Sequence, residues 1–154
     1  MSNLGSKRFA VDLLHQARDL ASKEKTRPRQ ASLRRAVSTS YYALFHLLIG
    51  DAVSLWKPTR QRAALAREFD HRNMKDASAK AAKTSLNGDV KTVGAAFVQL
   101  QQERHRADYD NSKVWTRMQA QTVITMSNDA FGAWNRASGT VPAEDFLYSL
   151  LFRR

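Results

Sequence analysis

The stretch that decides the fold covers residues 33–55 and reads L-R-R-A-V-S-T-S-Y-Y-A-L-F-H-L-L-I-G-D-A-V-S-L. Apolar side chains recur in it every three or four residues, which is the period of an α-helix. These positions are Leu33, Val37, Tyr41, Leu44, Leu48, Ala52 and Leu55. Residues 41–49 are apolar nearly all round the helix, so we expect its middle to be buried on several sides. The pattern predicts a helix over about 29–55, which Pro58 ends.

The rest of the chain also favours helices over strands. Its 154 residues include 22 alanines and 15 leucines, against nine valines, two isoleucines and six glycines. The further predicted helices cover about 7–23 after Ser6 as N-cap, 59–73, 91–110, 113–137 before a C-cap Gly139, and a short one at 142–152. Residues 74–92 hold several alanines but few large side chains, so we expect a loop or a weak helix there. The sequence predicts an all-α fold, an up-down bundle of four to five main helices plus a short C-terminal helix, in a single domain over 1–154.

Each predicted helix has an apolar stripe that should face the core. In the first helix the stripe is Phe9, Leu13, Ala17, Leu20 and Ala21, and in the third it is Leu65 and Phe69. In the fifth it is Trp115, Met118, Thr122, Met126, Ala130, Ala133 and Ala137, and in the last it is Phe146, Leu147, Leu150 and Leu151.

The charge of the chain points to anionic partners. Lysine and arginine number 25 against 14 acidic residues, a net charge of +11, and the first 50 residues alone carry nine basic and three acidic side chains. Such a field attracts phosphate polyanions, although solubility or an acidic protein partner would account for it equally well. The chain has no cysteine, and its four histidines lack zinc-site spacing, so we expect neither a metal nor a cofactor. We also expect a cytoplasmic protein without a membrane partner, because no run has the length of a membrane span and none resembles a secretion signal.

Polar side chains interrupt the apolar pattern of two helices. In the second helix a narrow polar stripe consists of Arg35, Thr39, Tyr42 and His46. In the fourth helix Arg104 and Asp108 share the inward side with Phe97 and Leu100, and Asn111 joins them if the helix continues. His105 and Tyr109 lie beside that face, and Arg106 points away.

These polar positions allow two interpretations. Arg104 and Asp108 form either a functional cleft or a buried structural pair, which could lie at a subunit interface. His46 is either a buried core histidine, which we favour, or a group that transfers protons. We expect Tyr41, Tyr42 and Phe45 to pack in the core rather than to stack on bases.

Two segments resemble the motifs of HEPN domains, the higher eukaryotes and prokaryotes nucleotide-binding family. Residues 36–46, A-V-S-T-S-Y-Y-A-L-F-H, resemble the second-helix motif, and residues 104–110, R-H-R-A-D-Y-D, resemble the R-x-x-A-D-Y-D form of a later motif. The resemblance covers about residues 7–138. It implies a four- or five-helix bundle whose dimer brings the later motifs together in a shared cleft. It also implies a metal-independent ribonuclease, toxin or phage-defence role, in some members beside a small nucleotidyltransferase.

The positions of the HEPN motif can be matched to this chain residue by residue. Arg104 matches the motif arginine and Asp108 its acidic position, but Tyr109, Asp110 and Asn111 stand where the ribonuclease histidine is expected. Many relatives also have an arginine where this chain has Thr39.

The resemblance therefore implies an RNA- or nucleotide-binding homodimer that could be a metal-independent ribonuclease toxin with an antitoxin. The candidate catalytic residues are Arg104, Asp108, Tyr109 and His46, and the candidate phosphate-binding residues are Arg35, Tyr42, His105, Arg106 and Asn111. The alternative is a catalytically inactive HEPN module that dimerises and binds a nucleotidyltransferase-type or other partner protein.

Overall fold

The computed structural model describes residues 2–152, with side chains from residue 7 onward. This part of the chain is helical, without strands, and the all-α prediction is confirmed. The elements are α1 (Ser2–Ala21), α2 (Gln30–Ser54), a 3-10 turn (Thr59–Gln61), α3 (Arg62–Ala66), α4 (His71–Thr84), α5 (Gly88–Tyr109), α6 (Arg117–Ala137) and α7 (Val141–Leu151). Five of these helices are long and α7 is the short C-terminal helix, which agrees with the predicted number, although α4 lies where a loop or a weak helix was predicted.

Helix α2 forms the centre of the bundle, with α1, α5 and α6 packed around it. From residue 41 to residue 50 every side chain is buried except Tyr42 and His46, which are half-buried. The prediction that its middle is covered on several sides is therefore confirmed. Leu55, expected on the buried stripe, is exposed instead because α2 ends at Ser54. No helix of residues 2–152 has the length and apolar character that crossing a bilayer requires.

The single helix predicted over 59–73 is wrong. The chain forms a 3-10 turn and the five-residue α3, and it then breaks before α4. Asp70 caps the new helix, since its carboxylate accepts a hydrogen bond of 2.7 Å from the backbone N–H of Asn73. Phe69 in the break is buried and Leu65 half-buried, so the inward side predicted for this segment is correct.

The loop or weak helix predicted over 74–92 is also wrong, because α4 occupies most of it as a regular helix of 14 residues. Small residues explain its stability. A Cβ atom added at Gly94 of α5 would lie 2.6 Å from the carbonyl oxygen of Ser78 and 3.1 Å from the backbone nitrogen of Ala82. The backbones of α4 and α5 thus approach closely, and the buried residues of α4 are the small Ser78 and one large side chain, Met74.

Helix α6 differs from its prediction in start and in phase. It begins at Arg117 after a capping box in which Thr116 and Gln119 satisfy each other's backbone N–H groups, four residues later than expected. Met118 (76% exposed) and Thr122 face solvent, so these two positions of the predicted stripe are wrong, whereas Trp115 is buried as predicted. The buried face comprises Ala120, Val123, Ile124, Ser127, Ala130, Phe131, Ala133, Trp134 and Ala137. Gly139 after the helix has a φ of 88°, as a C-cap glycine should.

The terminal helices agree with prediction except at the start of α1. That helix begins at Ser2, so Ser6 lies inside it rather than capping it. Phe9 is exposed, and the buried side of α1 is instead Ala10, Leu14, Ala17 and Ala21. Helix α7 buries Phe146, Leu147 and Leu150 as predicted.

Candidate functional site

Arg104 of α5 lies in the seam between α5 and α2. Its side chain is 14% exposed, and its Nη1 is 3.5 Å from Oδ2 of Asp108, one helical turn further on. The same Nη1 donates a hydrogen bond of 3.3 Å to the hydroxyl of Tyr42 on α2. The guanidinium carbon lies 5.3 Å from the ring centre of Tyr41 and 5.6 Å from that of Tyr42, within cation–π distance. The seam that the helical spacing predicted for Arg104 and Asp108 is therefore present.

Asp108 connects the two helices from the other side of the guanidinium. Its side chain is 29% exposed, and Ser38 of α2 donates a hydrogen bond of 3.4 Å to the same Oδ2 that faces Arg104. An ion pair of this length and exposure adds little to stability. Its effect is on orientation, because Asp108 and Tyr42 together hold the guanidinium of Arg104 in one position.

The end of α5 is fixed by Arg34, whereas the sequence pattern pointed to its neighbour Arg35. Arg34 donates hydrogen bonds of 3.0 Å to the carbonyl of Ala107 and 2.5 Å to that of Lys113. The last carbonyls of a helix have no partner within it, so this arginine joins the C-terminal end of α5 to α2. Arg34 thereby supports the turn that carries Asp108.

His71, at the start of α4, belongs to the same cluster although no sequence motif indicated it. Its Nδ1 is 2.6 Å from the hydroxyl of Tyr41, and its ring stacks on Phe45 with 4.5 Å between centres. Burial lowers the pKa of His71, the charge of Arg104 lowers it further, and Asp70 opposes them. Burial raises the pKa of Tyr41, so its phenol keeps its proton.

The hydrogen bond between Tyr41 and His71 sets the tautomer of the imidazole. Tyr41 is fully buried and protonated, and its hydroxyl has no other hydrogen-bond partner among the described residues, so its O–H donates to Nδ1 of His71. A neutral imidazole that accepts at Nδ1 carries its proton on Nε2. His71 is therefore a neutral hydrogen-bond donor at Nε2 and not a free base.

A groove of about 360 Å³ runs between α4 and α5 beside this cluster. Three cationic side chains, a histidine and two amides line it, without a carboxylate: Lys75, Gln101, Gln102, Arg104, His105 and Arg106. Arg106, which is 55% exposed, is paired at 3.2 Å with Glu103, whose side chain is 12% exposed and also accepts a hydrogen bond from Gln99. Nε of Arg104 is buried without a hydrogen-bond partner in the part of the chain that the structure describes. The protein itself thus leaves the guanidinium incompletely satisfied.

His46 approaches the cluster through the rings of Tyr42 and Phe45. It is half-buried, with its ring edge-on to Phe9 at 4.9 Å and 6.4 Å from the ring centre of Tyr42. Burial lowers the pKa of His46, and the charge of His71 lowers it further. The packing of His46 fits the interpretation that it is a core histidine. Because its imidazole is neutral, it can accept a proton.

The structure does not bring the other predicted site residues into the seam. Arg35 is exposed near the start of α2, so the polar stripe of that helix is not buried along its whole length as expected. Asn111 lies in the turn after α5, which ends at Tyr109, and so misses the inward face. Tyr109 is 66% exposed, with its ring 5.0 Å from that of His105. His105 and Arg106 line the groove, although Arg106 was expected to point away.

Two further observations limit the chemistry of the described residues. Among the side chains of residues 7–152, no group of three or more metal-ligating residues lies close enough together to hold an ion. A larger cavity of about 550 Å³ lies between α4 and α7, but Asp76 and Asp145 in its lining oppose Lys80. The groove beside Arg104 is therefore the better match for an anion.

The fold and the groove together define an all-α bundle with a cationic, carboxylate-free cleft on one side. Comparison with protein-family models, with curated proteins and with solved structures finds no match to this chain.

Proposed function

We propose that this protein binds RNA, with a phosphate of the strand held in the groove between α4 and α5. One observation carries the proposal: Lys75, Arg104 and Arg106 reach this groove and no carboxylate lines it. Guanidinium groups bind phosphate oxygens through pairs of hydrogen bonds, while lysine contributes a point charge. The net charge of +11 adds a long-range attraction that speeds the encounter with a polyanion.

Arg104 is the residue on which this binding depends most. Tyr42 and Asp108 orient its guanidinium, yet the contact with Asp108 is 3.5 Å long and Nε has no acceptor among the described residues. Because Nε is buried, a phosphate oxygen would bond to the part of the guanidinium that remains exposed. Lys75 lies across the groove on α4, so a phosphate between the helices would contact both elements.

The test is the affinity for a fluorescein-labelled single-stranded RNA, followed by anisotropy over a series of salt concentrations. We expect Arg104→Ala to weaken binding about tenfold or more and to reduce the slope of log K against log salt by about one. Lys75→Ala, a change of a half-buried lysine, should reduce the slope similarly. The matched control is Arg60→Ala, since Arg60 is exposed on the Thr59–Gln61 turn outside the groove. Equal affinities of all four proteins, with unchanged circular dichroism, would refute the proposal.

The resemblance to HEPN domains supports a wider assignment. It favours a homodimer in which the segments 104–110 of two copies face one cleft, so that two grooves act on one strand. It also favours a toxin–antitoxin or defence setting, with an antitoxin or a nucleotidyltransferase-type protein as partner. Sedimentation of the purified protein tests the dimer, and copurification with the product of the adjacent gene tests the partner.

Metal-independent cleavage of the bound RNA is the second candidate function. The match of Arg104 and Asp108 to the HEPN motif supports it, and His46 is the base that we propose. Its neutral imidazole can accept the proton of a ribose 2′-hydroxyl. The 2′-oxygen then bonds to phosphorus, the bond from phosphorus to the 5′-oxygen breaks, and that oxygen takes up a proton. Arg104 would stabilise the charge that develops on the phosphate, with Asp108 orienting it.

Incubation of RNA with the protein in EDTA tests this step. Cleavage should leave 2′,3′-cyclic phosphate and 5′-hydroxyl ends, and both Arg104→Ala and His46→Gln should abolish it. Intact RNA with retained binding would exclude the ribonuclease. If the protein neither binds nor cleaves RNA, the function that remains for this fold is that of an inactive interaction module.

A further inference from the structure

The last two turns of α5 display an aromatic pair next to the groove. His105 and Tyr109 lie one helical turn apart, and their ring centres are 5.0 Å from each other. Tyr109 is 66% exposed, and His105 is both exposed and part of the groove lining. A single exposed tyrosine needs no explanation. An exposed tyrosine that continues a cationic groove is a different feature, because the two together fit different parts of one ligand.

The spacing along α5 suits a nucleotide. Gln101, His105 and Tyr109 follow one another at four-residue intervals and so lie along one side of the helix. Arg104 precedes Tyr109 by five residues, which corresponds to about 7.5 Å along the helix axis and about 140° around it. His105, which lines the groove together with Arg104, lies between them. A phosphate on Arg104 therefore leaves a neighbouring base of the same strand within reach of the His105–Tyr109 pair.

The chemistry of the pair distinguishes single strands from duplexes. Surfaces that bind single-stranded nucleic acid combine cationic grooves with aromatic rings on which unpaired bases stack. In a duplex the faces of the bases are covered by their neighbours, so a duplex presents only its phosphates and groove edges to such a ring. We infer that the groove takes single-stranded RNA, with the phosphate on Arg104 and Lys75 and an unpaired base stacked on the His105–Tyr109 pair. This inference rests on the proposed function and names the form of RNA that the site selects.

Three labelled probes of equal length separate the two contributions: an RNA single strand, the same strand with abasic residues, and an RNA duplex. We expect the wild type to bind the single strand about tenfold more tightly than the abasic strand, which is the effect of stacking one base. Tyr109→Leu should lose that preference, while Tyr109→Phe should keep it because the ring is retained. The matched control is Tyr148→Leu, which removes an exposed tyrosine from α7.

The possible outcomes distinguish a failure of this inference from a failure of the proposed function. Equal binding of the single strand by wild type and Tyr109→Leu, with Arg104→Ala still impaired, would overturn the stacking site and leave phosphate binding standing. Tighter binding of the duplex than of the single strand would also overturn it. Failure of the wild type to bind any of the three probes at low salt would refute the proposed function and the stacking site together.

Discussion

The indole of Trp134 shows how a single polar contact fixes the packing of two central helices. Trp134 on α6 is buried, and its N–H donates a hydrogen bond of 2.5 Å to Oδ2 of Asp51 on α2. A donor of this kind must be satisfied once it is removed from water, and an ionised acceptor makes the bond stronger than a neutral one. Asp51 therefore acts as a structural carboxylate in the last two turns of α2.

Removal of this acceptor should destabilise the fold. We expect Asp51→Ala to lower the free energy of unfolding by about 2 kcal/mol, because the indole N–H remains buried without a partner. Urea denaturation followed by circular dichroism measures the effect. Asp129→Ala on α6 is the control, since Asp129 is exposed and its loss should change stability by less than about 0.5 kcal/mol. Identical denaturation midpoints for the two variants would contradict the structural role of Asp51.

The packing of α4 on α5 depends on the absence of a side chain at Gly94. Since a Cβ at this position would lie 2.6 Å from the carbonyl oxygen of Ser78, Gly94→Ala must move one helix away from the other. We expect a loss of about 1–3 kcal/mol in unfolding free energy, typical of overpacking.

Gly132 on α6 provides a matched control for Gly94, because an added Cβ there meets only the flexible end of Arg136 at 3.5 Å. Gly132→Ala should be neutral or stabilising by up to about 1 kcal/mol, as alanine restricts the unfolded chain. Thermal unfolding of the two variants gives the comparison. A Gly94→Ala protein as stable as Gly132→Ala would show that the helices do not need their close approach.

The close contact between α4 and α5 also explains why α4 could not be predicted from the sequence, whereas α2 could. A period of large apolar side chains, as in α2, reports directly which face a helix buries. In α4 the buried residues are Met74 and Ser78, and the packing of the half-buried Ala81 depends on Gly94 opposite it. That dependence arises from tertiary packing and leaves no periodic signal. In α6 the capping box places the start of the helix at Arg117, later than predicted. The buried stripe through Val123 and Ile124 lies beside the predicted stripe through Met118 and Thr122.

The residues of the candidate site differ in the same way, because some could be predicted from the sequence and others could not. Arg104 and Asp108 could be predicted because both lie on one helix, where the spacing fixes their common face. His71 and Lys75 come from α4, and only the docking of α4 on α5 brings them beside Arg104. No local pattern in residues 71–75 distinguishes them from an ordinary polar helix start.

At the scale of the whole molecule, α2, α4 and α5 converge on one cluster of titratable groups. His46 and His71 are both packed against the ring of Tyr42, and Arg104 donates to its hydroxyl. The neutral histidines leave Arg104 as the cation of the cluster, with Asp108 as its counter-ion. The bundle thus keeps a cation partly buried by surrounding it with neutral aromatic and hydroxyl groups rather than with several carboxylates.

This arrangement makes stability depend on pH. Burial lowers the pKa of both His46 and His71, and Arg104 lowers that of His71 further. As pH falls through about 6.5, the unfolded chain binds protons on these two residues before the folded protein does, so the free energy of unfolding decreases. The loss should continue until pH falls below the lowered pKa values of the folded state.

Urea denaturation at about pH 7.5 and at about pH 5.5 measures this dependence, since most carboxylates stay ionised over that interval. We expect a lower midpoint at the acidic pH for the wild type and a smaller difference for the double variant His46→Leu, His71→Phe. The replacement of His71 by phenylalanine retains a ring to stack on Phe45. A wild-type midpoint that stays constant or rises on acidification would mean that these two imidazoles are not held neutral by the fold.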